Sequence, residues 1–486
     1  MKILILCFSL LCTVILSAQN YRLTVINGFG SGVYKAGDTV RVWSRAIPKD
    51  SVFNGWIQDV KVKCILTPRE WTTGIIMPAT DITVTATFTY AEPLQWNETD
   101  IDVGFVKKHV WYSIPKKTIA LITLHHFTNG RGKIWTERTE YTQFAHAARA
   151  MGFGLLAYNC DEVDSGPQDN DKKDQWKSFP VSVTQNPDHK ATRALLDSLI
   201  ARNLVTEQTP LFAVGMSVGG GYTLSVAMTL GYTAWANYCS GGPITIADST
   251  TIPGIQAPAI NDANADDAPI GENNKKAREV YEKLIGRGVR CEWMQSQPQP
   301  LYPQRFARIS GVTIAKSTAM LNQLRDKGFL YPNDIPKIQS DTLEYVIKNY
   351  PAVLSEFSTL PETQWKEALY QYRVAFADHE FHSNFTYATL DFFKGYIQQT
   401  TSVLEYPKIE ELQVLPNPAQ EYLHVAHASL SEYSYTIYNS LGLVLETGSH
   451  TSGVFHINTS HLPNGLYYLN IVHGTLKTIT PFIISR

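Results

Sequence analysis

The stretch LFAVGMSVGGG at residues 211–221 joins an apolar, strand-like run to a helix-like run that continues to Thr229. Within it, Gly215 and Gly219 stand two residues before and two residues after Ser217. A sharp turn that leads directly from a strand into a helix brings the two backbones together, so small residues are needed at these positions. The pattern therefore predicts a strand, a strained turn and a helix, with the Ser217 hydroxyl exposed at the turn.

The sequence around this turn, from residue 93 to residue 402, alternates continuous apolar runs with segments of helical period. Apolar runs of this kind are typical of strands that are covered on both faces. The pattern predicts an α/β fold built on a mainly parallel sheet. The predicted strands lie at Thr118–Leu124, Gly152–Tyr158, Leu211–Val214, Ala234–Tyr238, Ala257–Ile260 and Val289–Met294.

A G-x-S-x-G turn between a strand and a helix resembles the nucleophile elbow of the α/β-hydrolase superfamily, particularly its serine esterases and lipases. The resemblance implies that Ser217 is the nucleophile and that an acid and a histidine follow it in that chain order. A serine hydroxyl is a weak nucleophile, so the histidine must take its proton and the carboxylate must orient the histidine.

The acid is expected after the next strand but one, in the run APAINDANADDAPI at residues 257–270. Its resemblance to the strand and acidic turn of the family favours Asp267, three residues before Ile270, with Asp266 as the alternative. A different interpretation is that Asp262, Asp266 and Asp267 form only a solvated acidic loop.

The histidine is expected in ADHEFH at residues 377–382, which resembles the histidine loop of the family. His379 is favoured and His382 is the alternative, because both precede the last predicted helix and only geometry decides between them. Their spacing differs from the H-E-x-x-H pattern that places two zinc ligands on one helical face. No metal site is therefore predicted, and the resemblance implies no cofactor.

Acyl chemistry also needs N–H donors for the developing oxyanion. The resemblance implies that one is the backbone N–H of Val218 and that the other comes from LHHFTNGRG at residues 124–132. Phe127 stands where the family usually has glycine, which leaves open whether Phe127 or Thr128 presents the N–H. His125 and His126 are expected to be structural or to contact the substrate.

The segment between the predicted acid and the predicted histidine is long, because Asp267 and His379 are 379 − 267 = 112 residues apart. One helix and one strand need far fewer. The excess, at about residues 295–375, contains helical patterns at Ser317–Lys327, Asp341–Asn349 and Gln364–Arg373. It predicts a helical cap that shapes the substrate pocket.

The start of the chain, a lysine followed by an apolar run and small residues, predicts a signal peptide at residues 1–18. Residues 19–92 show the alternation of β-strands and contain FNGW at 53–56 and MPATD at 77–81. This segment resembles the divergent bacterial surface-repeat modules. The resemblance implies a spacer or a weak binder, and a spacer is the preferred interpretation.

The end of the chain, residues 403–486, is again rich in predicted strands. It contains LPNP at 415–418, IYN at 437–439 and LPNGLY at 462–467, which resemble the type A sorting domain of the type IX secretion system. The resemblance implies that the secretion machinery is a partner and that the protein is exported to the outer cell surface or the extracellular space. A carbohydrate-binding sandwich is the alternative.

The composition limits the classes of partner that are expected and the possible states of the cysteines. The formal net charge is −2, which gives no indication of a nucleic-acid partner, and no transmembrane segment is expected after signal removal. Four cysteines remain beyond the signal peptide, and they either form disulfides in a non-reducing compartment or stay as buried thiols. They are Cys64, Cys160, Cys239 and Cys291.

Together these features predict an exported serine hydrolase that cleaves carboxylic esters of polysaccharides, lipids or polyesters through an acyl-enzyme. A serine peptidase is the first alternative, because the same groups cleave amides. A catalytically silent surface-binding protein is the second. The irregular oxyanion loop favours that second alternative, and the intact turn at Ser217 argues against it.

Overall fold

The structure of the protein is a computed structural model. It divides into two compact units, Met1–Ile397 and Gln398–Arg486. The residues that it describes are 19–48, 50–166, 170–262, 271–397, 413–426, 433–439, 443–451, 454–473 and 476–486. The predicted signal peptide lies outside these residues.

The N-terminal segment of the first unit consists of strands. A four-stranded sheet in the order β3-β1-β7-β5 and a three-stranded sheet in the order β2-β4-β6 share one apolar core. Alternating side chains of strands such as β1, β4 and β7 point into it. The strands are β1 (Asn20–Ile26), β2 (Gly28–Phe29), β3 (Gly32–Lys35), β4 (Thr39–Ser44), β5 (Ser51–Gln58), β6 (Thr72–Ile76) and β7 (Ile82–Tyr90).

This core also takes in two aromatic residues from the central region of the chain, Tyr302 and Tyr387. The Tyr302 ring stacks on Trp43 with the centroids 5.3 Å apart, and the Tyr387 ring lies 6.3 Å from that of Phe53. The segment predicted as a spacer therefore packs directly against the central region.

A mixed sheet of eight strands forms the centre of the first unit, in the order β15-β14-β13-β12-β10-β11-β9-β8. The strands from β10 to β15 are parallel to their neighbours, whereas β9 is antiparallel to β11 and β8 to β9. This is the α/β-hydrolase sheet, so the predicted fold class is confirmed. The strands are β8 (Asn97–Asp102), β9 (Lys107–Ser113), β10 (Ala120–His125), β11 (Phe153–Tyr158), β12 (Leu211–Met216), β13 (Ala234–Tyr238), β14 (Gly254–Ala257) and β15 (Cys291–Trp293).

Helices cover both faces of this sheet, which is why its strands are apolar without alternation. Ile122 and Val214 point into one apolar cluster, and their neighbours Leu121 and Ala213 point into the other. The helices of the first unit are α1 (Ile134–Glu137), α2 (Thr139–Ala150), α3 (Asp161–Ser165), α4 (Pro187–Ala201), α5 (Val218–Leu230), α6 (Ile244–Ala247), α7 (Glu272–Gly286), α8 (Ile314–Asp326), α9 (Ser340–Asn349), α10 (Ser355–Ser358), α11 (Glu362–Phe376) and α12 (Thr386–Lys394).

The helices α8 to α11 form an insertion between β15 and α12. They have an apolar core of their own, which includes Phe306, Leu321, Leu343, Phe357 and Tyr372. The three helices predicted for this segment are present as α8, α9 and α11.

The second unit contains two small sheets, β16-β17-β20 and β19-β18-β21-β22. Its described strands are β16 (Gln413–Leu415), β17 (Tyr422–Ala426), β18 (Tyr433–Asn439), β19 (Val444–His450), β20 (Val454–Asn458), β21 (Gly465–His473) and β22 (Leu476–Ile484). Apolar residues from both sheets form one core.

The four cysteines beyond the predicted signal peptide are free thiols in the structure. Each is buried, as expected for a small apolar side chain. They are Cys64, Cys160, Cys239 and Cys291.

Candidate active site

The turn between β12 and α5 holds Ser217 in a strained backbone conformation, with φ 58° and ψ −127°. The N–H of Ser217 donates to the carbonyl oxygen of Tyr238 at 2.9 Å. A Cβ atom on Gly215 would lie 2.2 Å from the carbonyl oxygen of Gly219, and one on Gly219 would lie 2.3 Å from that of His126. These approaches explain both glycines, since any side chain would force the backbones apart.

His379 lies just beyond the end of α11, where Ala377 takes a left-handed conformation with φ 58°. The turn is fixed by the N–H of Asp378, which donates to the carbonyl oxygen of Arg373 at 3.0 Å. In this position the Nε2 atom of His379 is 2.9 Å from the Ser217 Oγ atom. The structure therefore brings these two predicted residues into hydrogen-bonding contact.

The carboxylate on the other side of the imidazole belongs to Asp262. Its Oδ1 atom is 2.8 Å from His379 Nδ1, and the residue is 1% exposed. The preceding residue, Asn261, donates its backbone N–H to Ala377 at 2.9 Å and its side-chain amide to Phe376 at 2.7 Å. These bonds join the acidic turn to the end of α11 and hold the carboxylate against the imidazole.

This assignment differs from the sequence-based prediction of Asp267, with Asp266 as the alternative. Both of those residues lie outside the described part of the chain. The difference arises from the strand before the turn, which was predicted at Ala257–Ile260 but spans Gly254–Ala257. Because the strand ends earlier, Asp262 already stands at its carboxyl end.

The pKa of His379 is set by opposing effects. Burial lowers it, but the hydrogen bond and negative charge of Asp262, with smaller contributions from Glu380 and Asp378, raise it above the usual histidine value. Asp262 therefore favours the protonated form of the His379 imidazole.

His382, the alternative histidine, is buried away from this arrangement. Its ring packs against Tyr238 at 5.3 Å and Phe385 at 5.1 Å between centroids. Burial lowers its pKa to about 4. The structure thus places His382 in the core.

The loop after β10 is shaped by His126. Burial lowers the pKa of His126 to about 3, so the ring is neutral at ordinary pH. Its Nε2 atom accepts the N–H of Cys160 at 3.0 Å, which leaves the ring proton on Nδ1 to donate to the carbonyl oxygen of Phe127 at 2.7 Å. The N–H of Gly130 donates to the same oxygen at 2.9 Å. His126 therefore has a structural part in this loop.

A cleft of about 650 Å³ opens beside Ser217. Phe127, Thr128 and Val218 line it together with Ser217 and His379. Because Val218 is the first residue of α5, its N–H is among those that the helix itself does not use. The residues of the candidate oxyanion donors thus line the same cleft as Ser217.

The sequence reasoning gave no role at this site to three charged residues, Asp262, Glu380 and Arg138, and it considered Asp262 only as part of a solvated acidic loop. Glu380 follows His379 directly and could have been found from that adjacency. Arg138 has no local signal, because its contacts come from other parts of the chain.

Family models match both ends of the chain. The model for a secretion system C-terminal sorting domain matches residues 413–485. The chain ends in a type IX sorting domain. This domain directs the protein to the cell surface or the extracellular space. The model for a divergent InlB B-repeat domain matches residues 20–92, in agreement with the predicted surface-repeat module.

The chain is similar to several solved structures of α/β hydrolases at low sequence identity. Dienelactone hydrolase from Anabaena variabilis is 14% identical, with a TM-score of 0.31, and the match covers 48% of this chain and 96% of that one. The serine hydrolase XC6422 from Xanthomonas campestris is 15% identical, with a TM-score of 0.29 and coverage of 42% and 84%. Acetyl xylan esterase from Aspergillus awamori is 12% identical, with a TM-score of 0.28 and coverage of 39% and 80%.

No curated protein is significantly similar to the chain in sequence. Among the residues that the structure describes, no helix combines the length and the apolar character needed to cross a membrane.

Proposed function

We propose that the protein is an exported serine hydrolase that cleaves carboxylic esters. The observation that carries this proposal is the pair of hydrogen bonds on His379, 2.9 Å to Ser217 Oγ and 2.8 Å to Asp262 Oδ1. A nucleophile, a base and an orienting carboxylate in this order form the arrangement that activates a serine.

In the first step the Ser217 oxygen attacks the ester carbonyl carbon, and His379 Nε2 takes the hydroxyl proton. The carbonyl oxygen becomes an oxyanion, which the N–H of Val218 and that of Phe127 or Thr128 stabilise. His379 then gives the proton to the leaving alcohol as the carbon–oxygen bond breaks. The products of this step are the alcohol and an acyl-Ser217 ester.

In the second step a water molecule attacks the acyl-enzyme and gives a proton to His379. The tetrahedral intermediate collapses, the Ser217 oxygen leaves with that proton, and the acid is released. Asp262 holds the imidazole and its Nδ1 proton in place throughout. An ester is the proposed substrate, in polysaccharides, lipids or polyesters, because an alcohol leaves more readily than an amine.

A fluorophosphonate probe tests the proposal directly. We expect covalent labelling of the folded full chain, no labelling of Ser217→Ala, and greatly reduced labelling of His379→Ala. Ester hydrolysis should be lost in the same two variants. Absence of labelling in the wild-type protein, or undiminished labelling of Ser217→Ala, would show that Ser217 is not an activated nucleophile. Hydrolysis of peptides but not of esters would favour the peptidase alternative.

The pH dependence of ester hydrolysis should report the His379 pKa. Only the neutral imidazole can accept the Ser217 proton, so kcat/KM should fall as the pH is lowered through the raised pKa of His379. We expect the midpoint above about 6.5, the value for an unperturbed histidine. A kcat/KM profile with a stable neutral ester checks this, and a midpoint below that value would contradict the stabilising effect assigned to Asp262.

A further inference from the structure

The cleft beside Ser217 has more positive than negative side chains in its walls. Apart from His379, its charged lining residues within the described part of the chain are four basic residues and a single acidic one. The basic residues are Arg138, Lys173, Lys276 and Arg373, and the acidic one is Glu380.

Arg138 occupies a defined position in this wall. Its guanidinium lies over the ring of Phe127, 5.7 Å from the centroid, and over the ring of Tyr370, 4.7 Å from the centroid. Phe127 belongs to the loop that carries the candidate oxyanion donors. Contact with two aromatic faces restricts the guanidinium before any ligand binds.

Within the described part of the chain, protein groups bind few of the N–H donors of Arg138. In the described part of the chain, the guanidinium has one polar contact, an ion pair of 3.5 Å with Glu380. The Arg138 side chain is 36% exposed. An arginine presents five N–H groups in a planar fork that suits a carboxylate, so several donors remain for a ligand in the cleft.

Arg373 provides a contrast in the same wall. Its guanidinium donates to Ser340 at 3.0 Å, to Glu344 at 3.2 Å, and to Asp341 and Glu380 at 3.3 Å. Arg373 is thus occupied by protein groups. Because it also pairs with Glu380, that carboxylate keeps a cationic partner if a ligand draws Arg138 away.

We propose that Arg138 binds a carboxylate on the substrate, so that the enzyme favours esters with an acidic group close to the scissile carbonyl. The position of Arg138, between the Phe127 loop and the residue after His379, places this carboxylate beside the reacting ester. This inference rests on the proposed function, since it concerns the substrate of the same site.

Pairs of esters in which one member carries a carboxylate and the other a neutral group at the same position test the inference. One pair is the para-nitrophenyl monoester of glutaric acid and para-nitrophenyl pentanoate, which differ on the acyl side. The other pair is para-acetoxybenzoate and its methyl ester, which differ on the alcohol side. We expect kcat/KM for the anionic member of at least one pair to exceed that of the neutral member roughly tenfold or more, as for a hydrogen bond to a charged group. The ratio should fall as the salt concentration rises.

The ratio of the two kcat/KM values, rather than either value alone, is the measurement for the variants. In Arg138→Met and Arg138→Gln the ratio should fall to about one, whereas Arg202→Met, which removes an exposed charge outside the cleft, should keep the wild-type ratio. A wild-type ratio near one for both pairs, or a preference that survives both Arg138 variants, would overturn the inference. The proposed function fails separately, by loss of fluorophosphonate labelling and of hydrolysis of every ester.

Discussion

Asp262→Asn is expected to lower kcat for ester hydrolysis about 10⁴-fold, the loss seen when the orienting aspartate of a Ser-His-Asp triad becomes asparagine. The carboxylate of Asp262 can only accept a hydrogen bond from His379 Nδ1, which keeps the proton on that nitrogen and leaves Nε2 free to accept the Ser217 proton. An asparagine amide can donate to Nδ1 instead, and the ring then carries its proton on Nε2. In that tautomer His379 cannot act as a base towards Ser217.

The acidic segment of the chain supplies matched comparisons for this variant. Asp266→Asn and Asp267→Asn make the same chemical change at the two positions that the sequence favoured, and both should keep kcat within a few fold of the wild-type value. Steady-state kinetics on one ester, with near-ultraviolet circular dichroism to verify folding, checks all three proteins. If Asp267→Asn shows the larger loss, Asp267 is the acid and the assignment to Asp262 is wrong.

The features that the sequence predicted well depend on neighbours along the chain. The need for a small residue at Gly215 follows from a steric rule that applies within five residues of sequence, and its close approach to Gly219 obeys that rule. Gly219 is also a position that the local pattern predicts to be small, although the group that it approaches in the structure is His126, in the loop after β10. The apolar runs of the central strands likewise reveal a sheet covered on both faces without any knowledge of what covers it. Local patterns of this kind were sufficient for the fold class and for the turn at Ser217.

The position of the acid depends on where one short strand ends. The strand Gly254–Ala257 contains Gln256, which is fully buried and pairs through its side-chain oxygen with the amide of Asn237 at 3.0 Å. A buried polar residue of this kind interrupts the apolar pattern by which a strand is recognised in a sequence. Its hydrogen-bond partner lies on the neighbouring strand, so the local sequence does not show that the residue is buried. The prediction consequently placed the strand, and with it the expected acid, closer to the C-terminus.

For a related reason, Arg138 could not have been identified from the sequence as a residue of the cleft. The groups that define its position, Phe127, Tyr370 and Glu380, come from three other segments. One of these, Tyr370, lies on a helix of the long insertion. The identity of the groups in the cleft therefore depends on tertiary packing, which the pattern of a single sequence does not contain.

Glu140→Gln is expected to destabilise the first unit by about 3–5 kcal/mol, the cost of removing one partner from a buried ion pair. The Glu140 side chain is fully buried and lies 2.7 Å from Arg308 Nη1 and 3.5 Å from Arg305 Nη2, and the two arginines are 5% and 1% exposed. It also accepts the backbone N–H of Ser383 at 2.8 Å. The variant would leave two buried guanidinium groups without a counter-charge and weaken the link between the helical insertion and the histidine loop.

The pH dependence of stability provides an internal check on this interpretation. Burial alone would raise the Glu140 pKa, but the positive charges of Arg308 and Arg305 and the hydrogen bonds from Ser383 lower it to about 2. A carboxylate with a depressed pKa contributes its full stability above the unfolded value of about 4.3 and loses that contribution as the pH falls towards the folded value. The difference in thermal midpoint between the wild-type protein and Glu140→Gln should therefore be largest near neutral pH and should narrow below about pH 4.

A variant of a nearby surface ion pair is the control that distinguishes the loss of a buried charge from the loss of any negative charge. Glu137 pairs with Lys133 at 3.0 Å, and both side chains are more than half exposed, so Glu137→Gln removes one negative charge without leaving a buried cation. Exposed pairs of this type contribute little, and the midpoint of this variant should match that of the wild-type protein at every pH. Equal midpoints for Glu140→Gln and Glu137→Gln would mean that Arg305 and Arg308 are solvated or otherwise compensated, and that Glu140 does not hold the insertion to the histidine loop.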